Sequence, residues 1–412
     1  MPRDFKTSVR CLCCNNSNTS TVLKLNDTPL EDQYLLKPCP QELYPLELQF
    51  CKNCSFAFLK HQVHTEMSYE NYVYNTNVTS GLPQHYRDYA VDLVSKLNMR
   101  KDDLAIDLGS NDGTMLAAFK AQGLQALGVE PAKLIAQHAS ENGLPTIGAY
   151  FTRKISDWIK TKYGPAKLIT ANYMFANIPD FYDFLSGINN LLADNGAFVM
   201  QTGYHPDQFQ LGMFDYIYHE HFSYFTLKSL QNLLERHQLE IFSAQKESPK
   251  GGSIRVFVGK RGKWPVQKEL INSLYHQESD GGWHCEKGFH KLNKKMAKNK
   301  ADLLEVIKLY KRKNEKLIGF GASHSTTTMI YEYELGSILD HLIDDNPIKQ
   351  GTYSPGHHLS VKPVSHDAYG EGTTIILLAW QHSQTILEKH QRRLNKGVNI
   401  IIPLPEMSVI TV

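Results

Sequence analysis

Short apolar runs alternate with amphipathic stretches from about residue 104 onward, and this alternation constrains the fold more than any other feature of the chain. The runs have the continuous hydrophobicity of strands buried on both faces, and the stretches between them have helical periodicity. The apolar runs are LAIDL at 104–108, QALGVE at 125–130, KLITAN at 167–172 and GAFVMQT at 196–202. Strands separated by helices imply a parallel sheet covered on both faces, so we predict an α/β domain.

A second, smaller α/β unit is expected in the C-terminal part of the chain. Its first strand is predicted in KLIGF at 316–320, and later strands in TTIILLAW at 373–380 and NIII at 399–402. Polar, helical sequence from about 264 to 314 separates the two units. Because 412 residues exceed what one hydrophobic core usually organises, we predict three domains. Their boundaries are placed at 1–67, 68–262 and 263–412.

Four of the seven cysteines form two C-x-x-C pairs, Cys11 with Cys14 and Cys51 with Cys54. Each pair puts two thiolates on one tight turn, and two pairs complete a tetrahedral zinc site. We therefore predict a small zinc-binding domain with these four ligands. The zinc would be structural, since no position remains for a water. Chance clustering is the alternative, and Cys13 could replace a neighbouring ligand.

Charge and hydropathy exclude several classes of protein. The formal net charge is +2, and no basic face interleaved with aromatic residues is evident, so we expect no nucleic-acid partner. No run has the length of a membrane span, and the first ten residues are too polar for a signal peptide. We expect a cytoplasmic protein that makes no membrane contact. A monomer is expected, with a dimer as the alternative.

The first predicted strand runs into a glycine-rich turn, DLGSNDG at 107–113, which opens a helix. Glycines let a ligand approach the backbone closely, but the spacing differs from the dinucleotide G-x-G-x-x-G. Acidic residues border the turn and would repel a pyrophosphate, and Glu130 at the next strand end can accept ribose hydroxyls. This favours S-adenosylmethionine over NAD. The predicted cofactor-binding residues are Asp107, Gly109, Asn111, Asp112, Gly113, Glu130 and Asn172. For Asp112 alone, a solvent-facing acid in a tight turn stays an alternative.

A run of aromatic and titratable side chains, MFDYIYHEHFSYF, occupies residues 213–225. Its two histidines, His219 and His221, have an H-x-H spacing that permits metal binding, but no third ligand is evident. The alternative is that the run is a packed aromatic loop. A purely structural role is a stronger alternative for His219 and Tyr216 than for His221.

Several segments together resemble the sugar C-methyltransferases, which methylate C3 of nucleotide-linked 4-keto-6-deoxy sugars. The matching segments are YENYVYNTNVTSGL at 69–82, DLGSNDGT, GVEPA, ANYMFANIPD, FDYIYHEHFSYF, GGSIRVFV and DDNPIKQGTYSPG. The resemblance covers nearly the whole chain, and the tyrosine-rich segment and the Y-x-E-H segment are its most specific parts. It implies a Rossmann-like methyltransferase domain between the zinc-binding domain and a C-terminal, doubly wound α/β domain.

The resemblance also implies the catalytic residues. Tyr218, Glu220 and His221 would line the active site with His221 as the base, and Tyr74 would reach the sugar. Asn177 stands where the family often has a histidine, so one polar contact in the site differs. The C-terminal domain reads Ser323-His324-Ser325-Thr326 where the family tends to show a Lys-Gly pair. Substrate contacts there are expected to differ too.

These observations predict a C-methyltransferase that uses S-adenosylmethionine, carries structural zinc, and acts on a nucleotide-linked keto sugar in deoxysugar biosynthesis. A base would remove the proton next to the ketone, and the resulting enolate would be methylated. Two alternatives stay open. One is an RNA methyltransferase with a zinc knuckle, and the other is a non-catalytic protein that only binds a nucleotide sugar.

Overall fold

The computed structural model describes residues 5–65, 67, 81–313, 315–364, 372–390 and 397–411. Over these ranges the strands form four sheets, and helices flank the two largest. Among the described helices, none combines the length and the hydrophobicity needed to cross a bilayer.

The N-terminal part is built of short antiparallel strands. These strands are β1 (Phe5–Thr7), β2 (Thr19–Thr28), β3 (Tyr44–Cys51), β4 (Ala57–Leu59) and β5 (His61–Val63). Strands β2, β3 and β4 lie side by side, and β1 pairs separately with β5.

The middle part alternates strands and helices as predicted. Its helices are α1 (Leu82–Lys96), α2 (Thr114–Ala121), α3 (Lys133–Glu141), α4 (Arg153–Tyr163), α5 (Phe181–Leu191), α6 (His205–Gln210) and α7 (Leu227–Glu235). Its strands are β6 (Leu104–Leu108), β7 (Gln125–Val129), β8 (Thr146–Ile147), β9 (Ala166–Asn172), β10 (Leu192–Gly203), β11 (Ser223–Tyr224), β12 (Leu239–Glu247) and β13 (Ser253–Lys260).

The C-terminal part begins with two helices and ends in the second α/β unit. Its helices are α8 (Lys268–Gly281), α9 (Lys287–Arg312), α10 (His324–Glu332) and α11 (Ser383–His390). Its strands are β14 (Lys316–Phe320), β15 (His341–Asp344), β16 (Val361–Pro363), β17 (Thr373–Leu377), β18 (Asn399–Ile402) and β19 (Ser408–Thr411).

The predicted α/β fold class is confirmed by two sheets. The larger has the order β12-β13-β10-β9-β6-β7-β8, and the smaller β16-β15-β14-β17-β18-β19. In each sheet the central strands are parallel. Antiparallel strands, which the alternation did not specify, stand at one edge of each sheet. In the larger sheet, strand order reverses at β6, so a crevice opens at the carboxyl ends of β6 and β9.

Strand β11 joins two parts of the chain that lie far apart in sequence. It follows residues 218–221, the Tyr-His-Glu-His run. Even so, it pairs with β4 of the N-terminal sheet, with Ser223 opposite Phe58. Directly after it, Thr226 begins α7 with a capping box to Ser229. The residues after His221 are therefore fixed by a strand pairing and a helix start.

Hydrophobic packing merges the N-terminal part with both larger sheets. Phe56 lies beside Phe181 and Phe225 in the core of the seven-stranded sheet, with ring centroids 6.0 and 5.8 Å apart. The opposite side of the N-terminal sheet shares a buried cluster with α9 and the C-terminal sheet. The N-terminal sheet thus contacts both α/β units.

A buried ion pair lies at this junction. His219 Nδ1 is 2.7 Å from Glu31 Oε1, and both side chains are 1% exposed. The backbone N–H of His219 donates to the same carboxylate, and Thr327 Oγ1 of α10 donates to the Glu31 carbonyl. Burial opposes a charged ring, but Glu31 outweighs it and raises the pKa of His219. One N-terminal residue thus holds both the middle and the C-terminal parts.

Replacing Glu31 by Ala should destabilise the protein by about 3–5 kcal/mol, because it leaves a buried imidazole without its partner. Urea denaturation of Glu31→Ala, with exposed Glu42→Ala as the control, measures the effect. Since the pKa of His219 is raised, its ionic contribution is complete below pH 6.5 and is lost as the pH rises through the raised value. The two proteins should therefore differ less at high pH. Equal midpoints for the two variants at pH 6 would contradict this role.

Candidate active site

The four cysteines of the C-x-x-C pairs come together in the N-terminal part. Cys11 and Cys14 follow β1, and Cys51 and Cys54 lie where β3 turns into β4. All four sulfurs lie within 4.8 Å of one another, with Cys11 3.5 Å from Cys54 and Cys14 3.6 Å from Cys51. Tetrahedral zinc with bonds of about 2.3 Å needs sulfurs at roughly this spacing. Asn53 Nδ2 donates to Cys14 Sγ and orients that ligand. The residues fit a structural zinc ion, and Cys13 is not in the set.

The two cysteine turns have matching backbone geometry. The N–H of Asn15 donates to the carbonyl of Cys11, and the N–H of Ser55 donates to that of Cys51, both at 2.9 Å. Asn15 and Ser55 each have a positive φ, 57° and 59°. Each turn thus folds back so that both of its thiolates face the same point.

The glycine-rich turn after β6 borders a cleft at the carboxyl edge of the seven-stranded sheet. Gly109 and Gly113 have φ values of 67° and 82°, which favour glycine. A Cβ on Gly109 would come within 3.0 Å of Met174, and one on Gly113 within 2.6 Å of Leu144. Side chains at these two positions would therefore disrupt the turn that shapes the cleft.

Polar groups inside the cleft fit a nucleoside-bearing cofactor. Asp107 Oδ1 accepts hydrogen bonds from Thr170 Oγ1 and Asn172 Nδ2, and burial raises the pKa of Asp107 to about 7. Asn172 Oδ1 and Ser110 Oγ are buried there without a hydrogen-bond partner among the described residues. Buried polar atoms are normally paired, so these two are sites for a ligand's polar groups.

Glu130 lies where a ribose-binding acid is expected, at the end of β7. It is 4% exposed, lines the cleft, and accepts the backbone N–H groups of Asn111 and Ala132, one on each oxygen. Burial raises its pKa. Each carboxylate oxygen keeps lone pairs that can accept hydroxyl donors. Asn111 lines the cleft as well.

Asp112 is placed differently from the other predicted cofactor residues. Its Oδ1 accepts from the N–H and the hydroxyl of Thr114, at 3.1 and 2.5 Å, at the start of α2. It does not line the cleft, and neither does Gly113, whose part is the turn geometry. Asp112 thus lies one residue before the N-cap Gly113, with its side chain turned towards Thr114 in the first turn of α2.

His221 has a defined tautomer. Its Nδ1 lies 3.2 Å from the carbonyl of Tyr216 and its Nε2 lies 3.0 Å from the hydroxyl of Tyr218. A carbonyl can only accept, so Nδ1 carries the proton and Nε2 presents a lone pair to Tyr218. Burial, aided by the charge of Lys250, lowers the pKa of His221 to about 3. The ring is therefore neutral at neutral pH.

A small cavity beside His221 is adjacent to the cofactor cleft. His221, Tyr216 and Tyr224 line this cavity, and Tyr173 and Lys250 line both it and the cleft. A group held beside His221 would therefore lie next to whatever occupies the cleft. Carbon–carbon bond formation between two ligands requires that adjacency.

The other residues of the Tyr-His-Glu-His run point elsewhere. His219 is ion-paired with Glu31, so it is not free to join His221 on a metal. Apart from the four cysteines, the described residues include no group of three or more His, Cys, Asp or Glu side chains close enough to hold an ion. Glu220 lies 3.0 Å from His324 Nε2 of the C-terminal domain. The His221 ring is held by the Tyr216 carbonyl and the Tyr218 hydroxyl rather than by Glu220.

The remaining predicted residues are Asn177 and Tyr74. Asn177 ends a 3-10 turn after β9 and lines the cofactor cleft rather than the cavity beside His221. Tyr74 lies outside the described residues.

Sequence reasoning missed Tyr173 and Lys250. Tyr173 directly follows β9, and carboxyl ends of parallel strands carry ligand-binding residues, so its position was a usable signal. Lys250 precedes two glycines ahead of β13. A paired glycine signals an unusual backbone but does not show where the neighbouring side chain points.

Replacing Cys51 by Ser should reduce bound zinc and lower the melting temperature, because the fourth thiolate is lost and the ion holds the fold of this small sheet. Elemental analysis and thermal unfolding measure both effects. Exposed Cys39→Ser is the control and should keep full zinc. A Cys51→Ser protein with an unchanged zinc content would show that the ligand set is wrong.

Replacing Glu130 by Gln should weaken S-adenosylmethionine binding about 10- to 100-fold, the loss of one or two charge-assisted hydrogen bonds. Replacing Asp112 by Asn should change the affinity for S-adenosylmethionine less than threefold, since the amide oxygen of Asn can accept the same hydrogen bonds from Thr114. Isothermal titration calorimetry compares the two. A larger loss of affinity in Asp112→Asn than in Glu130→Gln would show that Asp112 contacts the cofactor.

Comparison with known proteins gives three consecutive matches to family models. A zinc binding domain model matches residues 11–69, a methyltransferase domain model residues 84–244, and a C-methyltransferase C-terminal domain model residues 248–405.

A curated relative is similar over the same length. The C-methyltransferase NovU of Streptomyces niveus is 28% identical over 405 residues, which cover 97% of this chain and 96% of the relative. A solved S-adenosylmethionine-dependent methyltransferase from Clostridium acetobutylicum is 15% identical over 48% of this chain and 96% of its own, with a TM-score of 0.35. The cyclopropane synthase MmaA2 of Mycobacterium tuberculosis is 11% identical over 47% and 91%, with a TM-score of 0.36.

The family models agree with the geometry. The four cysteines fall within the matched zinc binding domain, and the glycine-rich turn and Glu130 fall within the matched methyltransferase domain. Along nearly its whole length the chain is therefore similar to C-methyltransferases, with a zinc binding domain, a methyltransferase domain and a C-methyltransferase C-terminal domain in the same order.

Proposed function

We propose that this protein is an S-adenosylmethionine-dependent C-methyltransferase that acts at C3 of a nucleotide-linked 4-keto-6-deoxy sugar. The observation that carries the proposal is the cavity beside His221, which shares the lining residues Tyr173 and Lys250 with the cofactor cleft. The resemblance of the Tyr-His-Glu-His run to sugar C-methyltransferases supplies the substrate class. The shared cavity is consistent with a carbon acid placed between a base and a methyl donor.

A ketone at C4 makes the C3 hydrogen acidic, because its removal gives an enolate. His221 Nε2 holds the lone pair that would take this proton. In the ligand-free protein, burial keeps the ring neutral. An enolate next to the imidazolium supplies the opposite charge that a buried cation needs, so substrate binding itself would favour proton transfer.

The neighbouring side chains suggest how the base would be held. Hydrogen bonds to both ring nitrogens fix the orientation of His221, and the Tyr218 hydroxyl on Nε2 must yield to the substrate or shuttle its proton. We assign Tyr218 and Asn177, and Tyr74 by resemblance, as polar contacts to the sugar. S-adenosylmethionine, when bound, supplies an electrophilic methyl group. Asp107, Gly109, Asn111, Glu130 and Asn172 would hold it.

The C-terminal domain offers a place for the nucleotide. Glu220 is ion-paired with His324 at the start of α10, and the Lys349 ammonium lies 2.7 Å from Asp32 at the same junction. Asp32 and Glu220 outweigh burial and raise the pKa of His324 to about 9. The two cations at the carboxyl edge of the C-terminal sheet suit a diphosphate.

Mass spectrometry tests the proposal directly. The protein is incubated with S-adenosylmethionine and thymidine- or uridine-diphosphate 4-keto-6-deoxy sugars, and the expected product is heavier by one methyl group. Binding of both ligands without any product, across the sugars tried, would favour the non-catalytic alternative.

Replacing His221 by Asn should lower turnover by about 10²–10⁴-fold, the usual contribution of a general base, and leave S-adenosylmethionine affinity unchanged. Exposed His138→Asn is the matched control and should keep full turnover. Product formation rates and calorimetric titration give the two readouts. Full activity of His221→Asn would remove it as the base.

A further inference from the structure

Lys250 borders both the cofactor cleft and the cavity beside His221. Its Nζ lies 4.2 Å from the centroid of the ring of Tyr173, which borders the same two spaces. Within the described residues, no carboxylate forms an ion pair with this amine. A lysine whose contact is a ring face keeps N–H donors for a ligand.

The backbone at Lys250 adopts a conformation that side chains rarely take. Its φ and ψ are 57° and 38°, and Gly251 and Gly252 follow with φ values of 74° and 117°. A Cβ on Gly251 would lie 2.3 Å from the Met213 sulfur, so this loop packs tightly on the segment that precedes the Tyr-His-Glu-His run. A left-handed lysine costs free energy that glycine would avoid, and such residues cluster at functional sites.

Hydrogen bonds hold this loop in place. Gln208 Nε2 donates to the Lys250 carbonyl at 3.0 Å, and Ser253 Oγ donates to the Pro249 carbonyl at 2.8 Å. The N–H of Tyr204 donates to the carbonyl of Gly252. The strained conformation is thus fixed by contacts on both sides, and it places the lysine ammonium over the Tyr173 ring.

The charge of Lys250 acts on its surroundings. Lys250 is exposed at the surface, yet the protein groups packed around it lower its pKa to about 8 through desolvation. The amine is therefore still mostly protonated at neutral pH. It is close enough to His221 to contribute to the lowered pKa of that ring.

We infer that Lys250 is a further catalytic residue, whose ammonium donates a hydrogen bond to the substrate carbonyl oxygen and stabilises the enolate. This inference rests on the proposed function. In the step, the C3–H bond breaks and the proton passes to His221 Nε2. The electron pair of that bond forms a C3–C4 double bond, and the C4 carbonyl becomes an oxyanion that accepts from Lys250. C3 would then form a bond to the methyl carbon of S-adenosylmethionine as the bond from that carbon to sulfur breaks, S-adenosylhomocysteine would leave, and the C4 carbonyl would be restored.

Deuterium exchange isolates this step. A substrate deuterated at C3 is incubated with enzyme and S-adenosylhomocysteine, and loss of deuterium is followed by mass spectrometry. Lys250→Met should slow the exchange and the methylation about 10²–10³-fold, the effect of losing one oxyanion donor. Lys250→Arg keeps the charge and should be at least tenfold faster than Lys250→Met. Lys246→Met is the control, since Lys246 pairs with Asp207 on the surface.

The outcomes separate the two proposals. Calorimetric binding of S-adenosylhomocysteine within about threefold of wild type shows that Lys250→Met is folded. Exchange by Lys250→Met at the wild-type rate, with an active wild type, overturns the role of Lys250 alone. Equal, strong losses in Lys250→Met and Lys250→Arg also overturn a role for the charge. A wild-type protein that gives neither exchange nor product overturns the proposed function as well.

Discussion

The buried contact between Glu31 and His219 is the constraint on which the geometry of the candidate site depends. Charges are costly to bury, and a buried pair contributes little net stability compared with apolar residues of the same size. It does specify position, because any shift that separates the two groups leaves both unpaired. Here it fixes the middle of the Tyr-His-Glu-His run against the N-terminal sheet. Pairing of β11 with β4 fixes the end of the run.

Because the run is fixed at these points, three of its side chains lie in three different environments. His219 faces the N-terminal sheet, Glu220 faces His324 of the C-terminal domain, and His221 faces the cavity next to the cofactor cleft. This explains why adjacent titratable residues need not act as one cluster. The pKa of His219 is raised and that of His221 is lowered, because only His219 has a buried carboxylate partner. The zinc-binding domain thus supports the candidate active site without supplying a group to the proposed chemistry.

The sequence predicted features that local patterns determine. Alternating strands and helices, the two cysteine turns and the glycine-rich turn each depend on residues that are close along the chain. It did not predict contacts between distant residues. Glu31 lies 188 positions from His219, and nothing in the surroundings of either residue indicates the other. Asp112 has a chemically suitable carboxylate, but the direction of its side chain depends on the start of α2. Lys250 was overlooked because the shape of a cleft is a tertiary property.

In the proposed reaction, His221 Nε2 faces a carbon acid beside the methyl donor. A crystal structure with S-adenosylhomocysteine and the nucleotide-linked keto sugar tests this arrangement. We expect the sugar C3 within about 3.5 Å of His221 Nε2, with the cofactor sulfur facing the same carbon and the carbonyl oxygen towards Lys250. A sugar bound with C3 remote from His221, or with a hydroxyl oxygen in line with the sulfur, would contradict it.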